Sequence, residues 1–267
     1  MVEAVLSMKS LGVAAKDRVL VDDVSFSMAA GQILAVVGAN GAGKSSLLQA
    51  LSGVVNPALQ VQCELLDLAG QALQGYSQLQ RAQQLAVLLQ QSTLNFPFLV
   101  EEVIELGRLP HNTGSDFDKK LVVDIAGKLD ISHLLQREYT SLSGGEKQRV
   151  QLARVLLQIT NQENKQPRVL LLDEPLNSLD PGHQLDVLRV LRQYAAEGVA
   201  IVIVLHDINM ALQCADQLLA LKNGRSIAYG ELNEVINETL LHRLYGVEFE
   251  LLNRAGSSKP YVVMRDA

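Results

Sequence analysis

Residues 38–46 read GANGAGKSS and follow the apolar run ILAVV at 33–37. Gly38, Gly43, Lys44 and Ser45 satisfy the spacing G-x-x-x-x-G-K-[ST], with an expected strand before the match and an expected helix after it. These residue types suit a nucleotide's phosphates. A loop that wraps a triphosphate must turn several backbone N–H groups inward, and glycine reaches the required conformations cheaply. Asn40, Gly41, Ala42 and Ser46 complete that loop. The helix beginning near Lys44 aims its positive end at the same anion. The Lys44 ammonium adds a point charge near the terminal phosphates, and the Ser45 hydroxyl suits a magnesium ion.

A second group of residues lies in VLLLDEP at 169–175, where four apolar residues lead into adjacent carboxylates. Two acids at the exit of a buried strand are costly unless something positive compensates them. Asp173 is expected to bind magnesium, directly or through water. Glu174 is expected to polarise the attacking water of phosphoryl transfer. A third group, SLSGGEKQRVQLARVLL at 141–157, sets Ser143, Gly144, Gly145 and Glu146 at the start of a strongly helical run. By itself this reads as an N-cap and turn. A hydroxyl, glycine amides and a helix N-terminus also suit an anion. Spacing leaves open whether that anion belongs to the same nucleotide or to one on another subunit.

Strands are expected at 4–8, 19–28, 32–38, 85–90, 168–174, 199–206, 217–224 and 226–230, several of them continuous apolar runs. Such runs fit a parallel sheet covered on both faces. Helices are expected at 44–53, 181–197 and 207–215, which gives α/β layering. Between about residues 91 and 160 the pattern turns helical, at 99–109, 118–130 and 146–159, as in a helical subdomain inserted into the α/β core. The polar stretch NQENKQP at 161–167 reads as the return loop, and 246–267 as a terminal hairpin.

Of the 267 residues, 48% are hydrophobic and 19% charged, a globular balance with a formal net charge of −6. That sign does not favour nucleic acid or anionic lipid. Cys63 and Cys214 have no metal-ligand spacing and read as free thiols. The start, MVEAVLSMKS, lacks the apolar core of a signal peptide. The apolar run at 198–205 falls far short of the ~20 residues of a spanning helix. The chain therefore reads as soluble, and any membrane crossing is expected from another polypeptide.

The glycine loop, LSGGE and LLLDEP occur in the order and spacing of ATP-binding cassette ATPases, and the chain resembles that family from about residue 4 to about residue 245. The resemblance implies an α/β P-loop core of the ABC type with an N-terminal antiparallel β subdomain, at 1–90 and 161–245. It also implies an inserted helical subdomain at 91–160 and a C-terminal extension at 246–267. ATP and Mg2+ are the implied cofactors. Two copies would sandwich two ATP molecules, with the loop of one facing Ser143 to Glu146 of the other.

Further roles carry over by resemblance. In AVLLQQ (86–91), Gln90 takes the magnesium and water contact, with Gln91 as the alternative alignment. In NSLDPGHQ (177–184), Asp180 takes the dimer contact. In IVLHDIN (203–209), His206 contacts the terminal phosphate. The family often stacks an aromatic ring on adenine, at a position that falls near Ala15, yet 11–20 contains no aromatic residue. Little discrimination between ATP and GTP is the expectation.

The stretch LQQSTLNFPFLVEEVIELGRLPH (89–111) resembles the cassettes of importers for haem, ferric siderophores and cobalamin, with haem ranked first. LLQITNQ (156–162) followed by LLLDEPLNSLD is more like the cobalamin cassette. The implied partners are a second copy, transmembrane permease subunits in a groove near Gln90 to Glu102, and indirectly a periplasmic binding protein. Phe96 and Phe98 read either as shaping that groove or as ordinary core of the helical subdomain. The implied location is the cytoplasmic face of the inner membrane. A soluble cassette ATPase acting on nucleic acid or ribosomes is the reading from another class. The acidic balance and the single cassette count against it.

Overall fold

The computed structural model describes residues 4–54, 56–90, 94–160, 166–253 and 259–265. Two long strands, β1 (Ala4–Ala15) and β2 (Arg18–Ala29), pair antiparallel into a hairpin. The chain then enters β3 (Ile33–Val37) and passes through the glycine loop into α1 (Lys44–Leu51). Short strands β4 (Gln60–Gln62), β5 (Leu65–Leu68) and β6 (Gln71–Ala72) complete an antiparallel sheet of order β2-β1-β5-β6, with β4 beside β1. Then follow α2 (Gln78–Gln84) and β7 (Leu85–Leu88).

The helical stretch supplies α3 (Val100–Glu105), α4 (Ser115–Lys128) and α5 (Gly144–Ile159). No strand occurs among the described residues between 94 and 160. Gly107 permits α3 to close on α5, because a Cβ there would lie 2.3 Å from the Arg154 carbonyl oxygen. Buried Arg108 locks the same joint. Its guanidinium donates to Asp118 Oδ1 at 2.8 Å and to the carbonyls of Leu157 and Thr160. Those carbonyls lie at the end of α5, so the guanidinium satisfies acceptors that the helix leaves unpaired.

The chain returns through β8 (Arg168–Asp173), α6 (Pro181–Ala196), β9 (Val199–Val204), α7 (Ile208–Cys214), β10 (Gln217–Lys222) and β11 (Arg225–Glu231). Two short helices, α8 (Leu232–Val235) and α9 (Glu238–Tyr245), lead to the antiparallel hairpin of β12 (Phe249–Asn253) and β13 (Pro260–Met264). That hairpin docks on α7, where the Asn209 amide exchanges two hydrogen bonds with the backbone of Val262.

The central sheet has the order β11-β10-β3-β9-β8-β7, and all its pairs except β10 with β11 are parallel. All of β3 and β9 is buried, as apolar runs in a covered parallel sheet require. Successive side chains point to opposite faces. Ile33, Ala35 and Val37 therefore join the core beneath the helices, while Leu34 and Val36 join the core shared with the antiparallel sheet. The glycine loop, Asp173 and His206 all leave the carboxyl ends of parallel strands, the edge where open α/β sheets bind ligands.

Candidate active site

The glycine loop connects β3 to α1, and glycine is required at two of its positions. Gly38 has φ 152° and a Cβ there would lie 2.2 Å from the Leu221 carbonyl oxygen. Gly43 has φ 101° and a Cβ there would lie 2.3 Å from the Leu20 carbonyl oxygen. Gly43 caps α1 without any side-chain bond, and the first turn carries no acid. The first N–H groups of α1 therefore remain available to an anion.

The Lys44 side chain folds back over the loop, 5% exposed, and donates to the carbonyls of Gly38 at 2.8 Å and Ala39 at 3.0 Å. Burial pulls its ammonium below the ordinary lysine value, while Glu174 and Asp173 oppose that shift. Asp173, 2% exposed at the end of β8, is pushed above the usual carboxylate range by burial. The Ser45 hydroxyl hydrogen-bonds to it and acts in the other direction. The Asp173 Oδ1 is buried and has no hydrogen-bond partner among the described residues. Such an orphan acceptor is costly without a ligand. Ser45 and Asp173 thus offer two adjacent oxygens to a hard cation. No group of three or more His, Cys, Asp or Glu residues able to hold a metal occurs among the described residues. One hydroxyl and one carboxylate supplemented by phosphate oxygens and water fit magnesium in particular.

Glu174 follows with φ 52°, a left-handed conformation that is uncommon away from glycine and recurs at functional sites. Its carboxylate gathers three side chains from three segments. Gln90 Nε2 donates to Oε2 at 2.9 Å, Asn177 Nδ2 donates to the same oxygen, and His206 Nε2 pairs with Oε1. An open cavity of about 410 Å3 joins Glu174, Gln90 and His206 to the loop residues Asn40, Gly41, Ala42, Gly43, Lys44, Ser45 and Ser46. Gln91 lies outside the described residues.

Ser143 caps α5, accepting from the Glu146 backbone N–H while Glu146 Oε2 accepts from the Ser143 N–H at 2.7 Å. The Ser143 bonds hold the Glu146 carboxyl below its usual range. Asp180 caps α6 by accepting from the His183 backbone N–H, and hydrogen bonds from His183 lower its carboxyl. None of Ser143, Gly144, Gly145, Glu146 and Asp180 lines the cavity within this chain. The cap reading of Ser143 to Gly145 is thus realised locally.

At its far end the cavity is lined by Arg18 and Leu20 of β2. Ala15, paired with Arg18 across the turn, does not line it. Sequence reasoning missed Arg18. The only available signal was a cation just past a turn, and such residues usually face solvent. With no ring at this end, equilibrium binding is expected to favour ATP over GTP by less than about tenfold, since base stacking on an aromatic side chain contributes ~1–3 kcal/mol. A hundredfold preference would refute the expectation. Phe96 and Phe98 are outward-facing, 67% and 38% exposed, with ring centroids 6.2 Å apart, and so are not helical core.

Residues 21–177, more than half of the sequence, match the ABC transporter family. The chain belongs to that family. Among similar proteins, the hemin import ATP-binding protein HmuV of Pseudomonas aeruginosa is 40% identical over 97% of this chain and all of its own length. The protein of the same name from Gloeobacter violaceus is 41% identical, over 97% of this chain and 93% of its own. A chain of a metal-chelate type ABC transporter in an inward-facing conformation superposes with a TM-score of 0.78 at 24% identity, covering 99% of this chain and 98% of that one, a likeness of fold. cbiO1 of Clostridium perfringens, part of the ABC transporter complex cbiONQ, gives 0.72 at 25% identity, over 90% of this chain and 94% of that one. As an ABC transporter ATP-binding subunit, the chain takes ATP and hydrolyses it to drive transport by transmembrane permease subunits. No helix among the described residues is long and apolar enough to cross a membrane.

Proposed function

We propose that this chain is the ATPase subunit of an importer for haem, working as a homodimer on the cytoplasmic face of the inner membrane. Two observations support the reading. Relatives named as hemin import ATP-binding proteins share 40–42% of residues across most of the chain. Lys44, Ser45, Glu174, Gln90 and His206 also line one cavity, with Asp173 hydrogen-bonded to Ser45 at its edge.

In this reading the loop amides and Lys44 bind the phosphate chain. Glu174 polarises the attacking water and takes its proton at a carboxylate oxygen. Gln90 and His206 leave Glu174 to contact the water and the terminal phosphate. Ser45, Asp173 and Gln90 would hold Mg2+, which supplies charge neutralisation on the terminal phosphates when bound. Ser143 to Glu146 and Asp180 of a second copy close over the ATP bound by the first. Closure clamps each phosphate chain from both sides, and hydrolysis releases it. The permease follows that motion through the groove near Gln90 to Glu102, beside exposed Phe96 and Phe98.

The test is reconstitution of the chain with its co-purified permease in proteoliposomes, with cargo-loaded binding protein added inside. A haem-loaded binding protein is expected to stimulate ATP hydrolysis, and siderophore- or cobalamin-loaded binding proteins are not. Stimulation by one of the latter alone would overturn the haem assignment.

A further inference from the structure

Among the described residues Glu174 has three side-chain partners, Gln90 and Asn177 on Oε2 and His206 on Oε1. Gln90 and His206 line the nucleotide cavity. Asn177 does not line that cavity. It lines a smaller one of about 90 Å3 together with Leu176 and Met210, and Glu174 and His206 line that one too. Its position is set by the turn after β8, where the Asn177 N–H donates to the Glu174 carbonyl at 3.2 Å and Ser178 adopts φ 64°. On the opposite side of that turn, a Cβ on Gly145 would lie 2.7 Å from the Ser178 carbonyl oxygen, so the start of α5 presses against the segment. Gln148 of α5 also reaches the Glu174 carbonyl.

We propose that Asn177 is a positioning residue, whose amide holds Oε2 of Glu174 so that the carboxylate keeps facing the cavity when Gln90 and His206 transfer to nucleotide and water. The inference rests on the reading of Glu174 as the water-polarising carboxylate. A glutamate has three side-chain torsions, and a carboxylate that has lost two of its three partners would otherwise sample many of them. Asn177 does not line the nucleotide cavity, so nucleotide binding there need not displace its amide. It also belongs to the segment that ends in Asp180, three residues on, so movement of Asp180 against another molecule would shift the carboxylate through Asn177.

An ordinary role is also available to Asn177, because asparagine favours turns of this kind through its shape and local bonding. Aspartate shares both properties but cannot donate from its side chain when ionised, and it sets a like charge against Glu174. Asn177→Asp and Asn177→Ala are therefore compared with the wild type in the purified full-length protein, by steady-state ATP hydrolysis. Loss of a hydrogen bond to a charged group predicts a fall in kcat of about ten- to a hundredfold for Asn177→Ala. Asn177→Asp falls at least as far, although it fills the same space. KM for ATP stays within about twofold for both. Wild-type kcat in Asn177→Asp, or a KM that rises as kcat falls, overturns the proposal. Glu174→Gln is measured alongside. Wild-type turnover there would remove the underlying reading, whereas a stalled Glu174→Gln beside an active Asn177→Asp removes only the tether.

Discussion

Glu174→Gln is expected to bind ATP at least as tightly as the wild type and to turn it over about a hundredfold more slowly, or worse. The substitution keeps the size of the side chain and asks nothing new of the backbone at φ 52°. Its amide oxygen can still accept from Gln90 and Asn177, so the three segments stay joined. What disappears is the ability to take a proton from water, a role worth ~10²–10⁴ in rate. Binding should not suffer, because the lost charge faces Lys44 and its cavity, where it also repelled the incoming phosphates. On the proposed dimer, ATP that binds and is not cleaved holds two copies together, so gel filtration in ATP and magnesium should show a species of twice the mass. Steady-state phosphate release and an equilibrium titration separate the two effects. Normal turnover would remove Glu174 from the chemistry, and a parallel loss of ATP binding would make its role structural.

The parts of this site legible in the sequence are those where one local rule sets both residue type and conformation. The glycine loop needed left-handed backbone beside a buried strand, and Gly43 supplies it at φ 101°. The strand-end acids were legible because an apolar run ending in DE has few other meanings near such a loop. The continuous runs at 33–37 and 199–204 were legible as parallel strands because both their faces are covered. Other features depended on distant pairing. β4 to β6 were not foreseen, since Gln60–Gln62 and Gln71–Ala72 are short exposed segments made into strands by neighbours. Helix α2 was not foreseen either, and is held by a Ser77–Gln80 capping box. The expected strand at 4–8 extends to Ala15, because pairing with β2 continues past exposed Lys9 and Ser10 to buried Leu11 and Val13.

Asn177 and Arg18 were missed for a related reason. Nothing in NSLD states that its asparagine turns back to a carboxylate three residues earlier, and only the turn geometry makes that contact. Arg18 reaches the cavity because the β1–β2 hairpin bends over the loop, with Gly43 packed against Leu20. Residues at element ends acquire function from which other ends they meet, and that information is tertiary.

Lys44→Ala should weaken ATP binding by about a hundredfold and abolish measurable hydrolysis at ordinary ATP concentrations. A hydrogen bond between charged partners is worth ~1.5–3 kcal/mol, or ten- to a hundredfold in affinity. A second effect adds to the first. Lys44 is the cation set against Asp173 and Glu174, and removing it leaves both acids facing the phosphates uncompensated. Folding should survive, because alanine is the better helix former at the start of α1 and the space left by the lysine opens on the cavity it lines, through which water can reach the freed carbonyls of Gly38 and Ala39. Lys44→Arg should not restore wild-type affinity, since a planar fork cannot reproduce one ammonium seated over two carbonyls at 2.8 and 3.0 Å. The decisive measurement compares AMP with ATP. The lysine acts on the far end of the phosphate chain, so its loss should erase most of the preference for ATP while leaving AMP affinity within a few-fold of the wild type. If Lys44→Ala kept the wild-type preference, the amides of the glycine loop would suffice to read the terminal phosphates, and the lysine would serve only to hold the loop.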